Sequence, residues 1–172
     1  MTKFAFIAHI DSNIELISLR NCTFTILTSF VLGMDIARNK TNAILDLTGC
    51  SIPALTDISN FANGCGFTTI KGVLDCSNVT KAGNIFGDYC INLKNFEGFG
   101  NIRVSFRVTV STLTHDSLVS MIANLADMTT TDNQTWATNK SVTTTPTLTL
   151  GSTNLAKLSG AEKKVATDKN WI

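Results

Sequence analysis

Charge is scarce in this sequence. Only 16% of its 172 residues are charged and the formal net charge is +1, so no strong overall field draws the chain to nucleic acid or to an anionic membrane. Long apolar runs are missing too. The most apolar internal stretch, residues 24–37, is broken by Thr25, Thr28, Ser29 and Asp35 and is too short to span a bilayer. No Cys-x-x-Cys pair occurs among Cys22, Cys50, Cys65, Cys76 and Cys90, and their number is odd. Neither a disulfide framework nor a zinc site is indicated, and the thiols read as small core hydrophobes. A Gly-rich phosphate loop, a basic aromatic patch and a heptad run are also absent. Residues 1–10 carry one lysine and a short apolar run that Asp11 ends. No small-residue cleavage site follows, so the expectation is a chain without a secretion signal of its own.

What is present is a repeating pattern in a chain that is 44% hydrophobic, too apolar for disorder and long enough for one domain with a real core. Leu45-Asp46-Leu47-Thr48-Gly49 has the same form as Ile17-Ser18-Leu19-Arg20-Asn21 and Leu74-Asp75-Cys76-Ser77-Asn78. Val108-Thr109-Val110-Ser111-Thr112 and Leu148-Thr149-Leu150-Gly151-Ser152 follow it. A short strand recurring at such intervals predicts a solenoid. Period two sends Ile17/Leu19, Leu45/Leu47, Leu74/Cys76, Val108/Val110 and Leu148/Leu150 inward as one apolar column. It sends Ser18, Arg20, Asp46, Thr48, Asp75, Ser77, Thr109, Ser111 and Thr149 outward.

Between these strands, Phe61 and Phe86 each stand four residues before a cysteine, Cys65 and Cys90, a spacing that puts both on one face of a helical turn. Residues 1–16, with Phe4, Phe6 and Ala8 in alternation, read as an N-terminal strand that caps the repeat or docks it to another subunit. Val104, Phe106, Val108 and Val110 alternate with polar residues as one longer strand. Thr114 is placed to cap a helix carrying Leu118, Met121, Ile122 and Leu125 on one face, with Asp116 in its first turn. Residues 129–147, rich in Thr and Asn, read as a surface loop insertion or a β-hairpin with Trp136 as its one aromatic. Ser159-Gly160-Ala161-Glu162 matches a capping box and opens a short C-terminal helix, after which Trp171 and Ile172 are expected to fold back as a cap.

The Phe-x-x-x-Cys segments, joined to strands such as Leu45-Asp46-Leu47, resemble the leucine-rich repeats of the BspA-like bacterial surface type. Three further runs are Leu113-Thr114-His115-Asp116-Ser117-Leu118, Ile122-Ala123-Asn124-Leu125-Ala126 and Leu148-Thr149-Leu150-Gly151-Ser152-Thr153-Asn154-Leu155-Ala156-Lys157-Leu158. With the closing Glu162-Lys163-Lys164-Val165-Ala166-Thr167-Asp168-Lys169-Asn170-Trp171, they are similar to a module of bacteriophage structural proteins and gut-bacterial repeat proteins. The resemblance covers roughly residues 45–172. It implies a repeat scaffold that binds other macromolecules, often within a phage particle, and it implies no catalytic residues. The expected fold class is therefore α/β: a short leucine-rich-repeat-like solenoid over residues 17–172, with a strand and a helix or turn per repeat, the insertion at 129–147 and a helical C-terminal cap.

His115-Asp116-Ser117 holds the three residue types of a hydrolase triad, but adjacent residues at a helix start do not reach triad geometry among themselves. His9 reads as a core or interface histidine, with no local signature of a Cys–His nucleophile pair. Asp46 and Asp75, at equivalent strand positions, are expected about one strand spacing apart, roughly 5 Å. Ser18 and Thr109 at the matching places are weak ligands, so solvation or hydrogen bonds to Thr48 and Ser77 are favoured over Ca²⁺. The polar residues among Asn21, Gly49, Asn78, Thr112 and Ser152, which close the five motifs, suit hydrogen bonds to the backbone of the next coil.

The expectation is a non-enzymatic protein with no cofactor and no bound metal. Its binding surface would use Arg20, Asp46, Thr48, Asp75, Ser77, Thr109, Ser111 and Trp136. The resemblance implies a virion component, a decoration, fibre or tail accessory assembled in the bacterial cytoplasm. Its partners would be other virion proteins or a host cell-surface molecule, within an oligomer or larger assembly, without nucleic acid and without membrane insertion. The alternative is a bacterial surface adhesin or an intracellular protein-binding scaffold.

Overall fold

A segment such as Ile44-Leu45-Asp46 has one apolar face to bury, and this chain buries it by laying such segments side by side in parallel. The computed structural model describes residues 3–7, 15–33, 43–62, 64, 66–86, 90–110 and 112–172. Among these residues, ten strands come first: β1 (Lys3–Ile7), β2 (Leu16–Ser18), β3 (Ser29–Gly33), β4 (Ile44–Asp46), β5 (Thr69–Lys71), β6 (Leu74–Asp75), β7 (Gly83–Asn84), β8 (Asn95–Phe96), β9 (Phe99–Gly100) and β10 (Phe106–Arg107). Helices α1 (His115–Ala123) and α2 (Thr131–Asn139) follow, then β11 (Leu148–Thr149), α3 (Ser152–Leu155) and α4 (Gly160–Asp168). The fold is mixed α/β, with parallel sheets and a few helices.

The largest sheet has the order β2-β4-β5-β8. Ile17, Leu45, Ile70 and Phe96 stand opposite one another along it, so register advances by 28, 25 and 26 residues (45−17, 70−45, 96−70). β10 lies between β7 and β11, with Phe106 opposite Gly83 and Leu148. β6 pairs with β9, and β1 with β3. All these pairs are parallel, which requires a long return between partners rather than a hairpin.

Inward positions of the ladders form the core: Leu45, Leu47, Ile70, Leu74, Phe96, Phe99, Phe106 and Val108 are all buried. A chain of aromatic rings links them, with centroids 5.4 Å apart for Phe30–Phe61, 5.5 Å for Phe61–Phe99, 6.1 Å for Phe99–Phe106 and 5.9 Å for Phe106–Trp171. Phe86 and Phe96 join it through Phe99. Such tilted and edge-on pairs add about 0.5–1.5 kcal/mol each beyond the area they bury.

Side chains complete the backbone pairing at the bends. Thr56 Oγ1 donates to Thr28 O and Thr80 Oγ1 to Thr56 O, while Asn78 Nδ2 donates to Pro53 O and Thr112 Oγ1 to Leu93 O. Asp46, Asp57, Asp75 and Asp127 each accept from the backbone N–H two residues on. In all four the sequence is Asp, a buried residue, then Ser or Thr: Leu47, Ile58, Cys76 and Met128 are the buried centres. The Asp thus tightens the bend while the next side chain enters the core.

The C-terminal segment ties the helices to the sheets. Ser159 and Glu162 form the reciprocal capping box of α4, and Thr114 Oγ1 caps α1 by accepting from Ser117 N–H. Lys169 Nζ donates to Ala123 O (2.6 Å) and Leu125 O (2.9 Å) at the end of α1, where a cation also meets the negative end of the helix dipole. Trp171 is buried and its indole N–H donates to Ala126 O. Leu148 N–H donates to Ile172 O and Ile172 N–H to Pro146 O, so the last residue lies along β11.

Several expectations need correction. Leu45 faces Ile70, not Leu74, because Gly72, at φ +87°, turns the chain between Lys71 and Val73. Leu74 instead pairs with Phe99. Leu148 faces Phe106 rather than Val108, a shift of two that keeps the same face inward. Residues 129–147 are neither an open loop nor a hairpin, since 131–139 form α2. Thr130 caps that helix by accepting from Asn133 N–H, and Ala137 is the residue of the helix that is buried. Among the described residues, no helix occurs before His115. Cys50, Cys76 and Cys90 are buried thiols, whereas Cys22 is half-buried. Ala8, His9, Cys65 and Ser111 lie outside the described residues.

A Cβ at Gly72 would stand 2.5 Å from Thr48 N and 2.6 Å from Leu47 C, both backbone atoms. Gly72→Ala is therefore expected to cost about 3 kcal/mol, read as a lowered urea midpoint with unchanged slope. A wild-type midpoint would contradict the close approach of β4 and β5.

Candidate binding face

The sheet β2-β4-β5-β8 turns one face to the core and the other outward. Leu16, Ile44, Thr69 and Asn95 form one outward row, and Ser18, Asp46 and Lys71 form the next. Asn95 Nδ2 donates to Thr69 Oγ1 (3.3 Å) along the first row. Glu97, one residue past β8, accepts from Gly72 N–H through Oε2 (2.8 Å). Thr69, Lys71, Asn95 and Glu97 border an open depression whose far wall is α1, through Asp116 and Ser120. Ser120 Oγ donates to Glu97 O and holds that wall against the sheet.

The predicted residues fall into two groups. In the first, Asp46 is not a free outward carboxylate: it is only 8% exposed, unlike its flanking outward neighbours Arg20 and Thr48. Hydrogen bonds from Thr48, hydroxyl first and amide next, hold its carboxyl below the usual range. Arg20 Nε stands 3.8 Å from Asp46 Oδ2. Asp46 faces Lys71 across the sheet and Asp75 faces Gly100, so the two aspartates are not ladder neighbours and the carboxylate pair expected between them does not form. Among the described residues, no three His, Cys, Asp or Glu groups converge on a common metal position.

The second group centres on Arg103, which sequence reasoning missed. Asp75 accepts from Ser77 Oγ (2.9 Å) and from Asn101 Nδ2 (3.1 Å). Ser77 O accepts from Arg103 Nη1 (2.6 Å), whose Nε donates to Asn133 Oδ1 (2.6 Å). The guanidinium lies 4.9 Å over the Trp136 ring, and partial burial lowers its pKa. Asp75, Ser77 and Trp136 are therefore brought together, with Trp136 half-buried against the core rather than projecting from a loop. The signal that α2 docks here was Arg103 itself, a cation that stands immediately before the alternating run from Val104 to Val110. Thr109 is half-buried on its own, beside Gly151.

The three residue types at the start of α1 part company. Ser117 Oγ is buried and accepts from Phe96 N–H (2.7 Å). His115 is exposed, with Nδ1 3.1 Å from Asp116 Oδ1 and Nε2 2.8 Å from Glu162 Oε1. Asp116 first, then Glu162, raise the His115 pKa. Among the described residues, no helix is long and apolar enough to cross a membrane. No family model, curated protein or solved structure matches this chain.

Two predictions follow from these contacts. Trp136→Ala removes packing and the cation–π contact and is expected to destabilise the fold by about 2 kcal/mol, measured by urea denaturation. An unchanged midpoint would mean that the ring does not pack. His115 gains affinity for its proton on folding, so its contribution is complete below about pH 6.5 and fades as pH rises through the raised folded value. The stability difference between wild type and His115→Ala should thus be larger at pH 5.5 than at pH 9. A difference independent of pH would remove the His115–Glu162 link.

Proposed function

We propose that this chain is a short leucine-rich-repeat-like solenoid acting as a non-enzymatic binding scaffold within a bacteriophage virion, as a decoration, fibre or tail accessory. The observation that supports the scaffold is the constant parallel register of Ile17, Leu45, Ile70 and Phe96. It sets polar and charged side chains in outward rows, with neighbours in a row roughly 5 Å apart, the kind of extended surface through which repeat proteins bind. Lys71, Asn95 and Glu97 offer donors and acceptors there, and Arg20 and Thr48 flank them at the bend. The partner is another virion protein or a host cell-surface molecule. The virion placement rests on the resemblance of residues 113–171 to phage structural modules. The same resemblance extends to gut-bacterial repeat proteins and makes a cell-surface adhesin the competing reading.

Quantitative mass spectrometry of purified particles tests this reading. Stoichiometric presence is expected, and Lys71→Glu, which reverses a charge on the outward face without touching the core, is expected to lower incorporation several-fold. Absence from particles, with the protein recovered from cells or their surface, would overturn the virion assignment. Normal incorporation of Lys71→Glu would move the contact off this face.

A further inference from the structure

Cys22 and Cys50 end two copies of the same turn. Cys22 N–H donates to Leu19 O (3.2 Å) and Cys50 N–H to Leu47 O (2.8 Å). Each is preceded by a residue in the left-handed region, Asn21 at φ +55° and Gly49 at φ +68°. The two turns lie directly against each other: a side chain at Gly49 would run into the Asn21 side chain. Backbone bonds on both sides lock the alignment. Asn21 N–H donates to Thr48 O (3.0 Å), Ser51 N–H to Cys22 O (2.9 Å) and Phe24 N–H to Ser51 O (2.9 Å). Thr23 and Ser51 form a parallel bridge. The cysteines are therefore register neighbours, about 5 Å apart at Cα, within the roughly 4.4–6.8 Å that a disulfide spans.

We propose that Cys22 and Cys50 are a redox-active dithiol, converted by a small-molecule disulfide such as oxidised glutathione into a disulfide that ties together the turns that follow β2 and β4. Exposure sets the order of events. Among the four described thiols Cys22 alone is half-buried, whereas Cys50, Cys76 and Cys90 are buried. The Cys22 thiolate attacks one sulfur of the small disulfide, forming a Cys22 mixed disulfide and releasing one thiol. Cys50 then loses its proton and attacks Cys22 Sγ, forming the Cys22–Cys50 bond and releasing the second thiol. The protein pair loses two electrons and two protons, and the small disulfide gains them. Burial first, and Cys22 second, push the Cys50 thiol up to about 11. The second step is therefore the slow one and quickens as pH rises.

Among the described residues β2 is the edge of its sheet, and Leu16 (56% exposed) and Ile26 (59% exposed) flank the Cys22 turn. A covalent tie there restrains a segment that carries exposed apolar side chains.

Incubation of the full chain with oxidised glutathione, followed by non-reducing peptide mapping, tests the proposal. The expected course is a Cys22 glutathione adduct first, then a peptide linked through Cys22 and Cys50, formed faster at pH 9 than at pH 7. The melting temperature should rise by about 5 °C or more, reversibly with reductant. Cys50→Ser should stop the reaction at the adduct and abolish the rise. A stable Cys22 adduct in the wild-type chain, or cross-links involving only other cysteines, would overturn the proposal. Because the mapping is read on the wild-type chain, it holds even where a variant fails to fold.

Discussion

Short parallel strands depend on their neighbours for register. β4 has three residues and β8 two, so neither satisfies its backbone groups or buries a face alone. The pairing of Ile17, Leu45, Ile70 and Phe96 resolves both needs at once, since each strand bonds to the next and presents the same face inward. A one-residue slip would turn Leu45 out and Asp46 in, which makes the register steep in free energy. The rings from Phe30 to Trp171 cross from one ladder to the next and couple them into one core.

The two ends of the main sheet are treated differently. At β8, α1 supplies the missing partners: Thr114 N–H donates to Lys94 O, and Ser117 Oγ accepts from Phe96 N–H. α1 is in turn closed by Lys169, and Trp171 fills the space beside Phe106. At β2, Ile17, Leu19 and Phe24 stay partly exposed although they match buried residues further along. Among the described residues, this end of the sheet is therefore less buried than the end at β8, the kind of difference that local opening follows.

Features written in local chemistry were legible in the sequence. The alternation of Val104, Phe106, Val108 and Val110 is seen as four buried residues, although the one longer strand expected there is only Phe106–Arg107, and Thr114 and Ser159 cap the helices they were expected to cap. The pairing of Ile17 with Leu45 was legible because both segments have the same pattern. Features that depend on distant partners were hidden. Thr69-Ile70-Lys71 has a single apolar residue and gives no strand signal, yet it is the strand that follows β4. α2 is built from Thr and Asn, residues with weak helix propensity, and is held by Arg103 and Trp136. Asp46 looked outward by period two, but its hydrogen bonds to Thr48 draw it into the bend. For the candidate face, Arg20 and Thr48 were legible as exposed residues, while Lys71, Asn95 and Glu97 were not, because they belong to strands whose register the sequence conceals.

Amide hydrogen exchange read residue by residue tests the register most directly. The slowest amides should be Leu47, Ile58, Ile85, Phe106 and Val108, which donate across the ladders. Protection should decline toward Leu19 and Asn21, at the β2 end of the described sheet. Protection confined to α1, α2 and α4, with fast exchange at Leu47 and Ile85, would contradict the parallel ladders on which the rest of the structure depends.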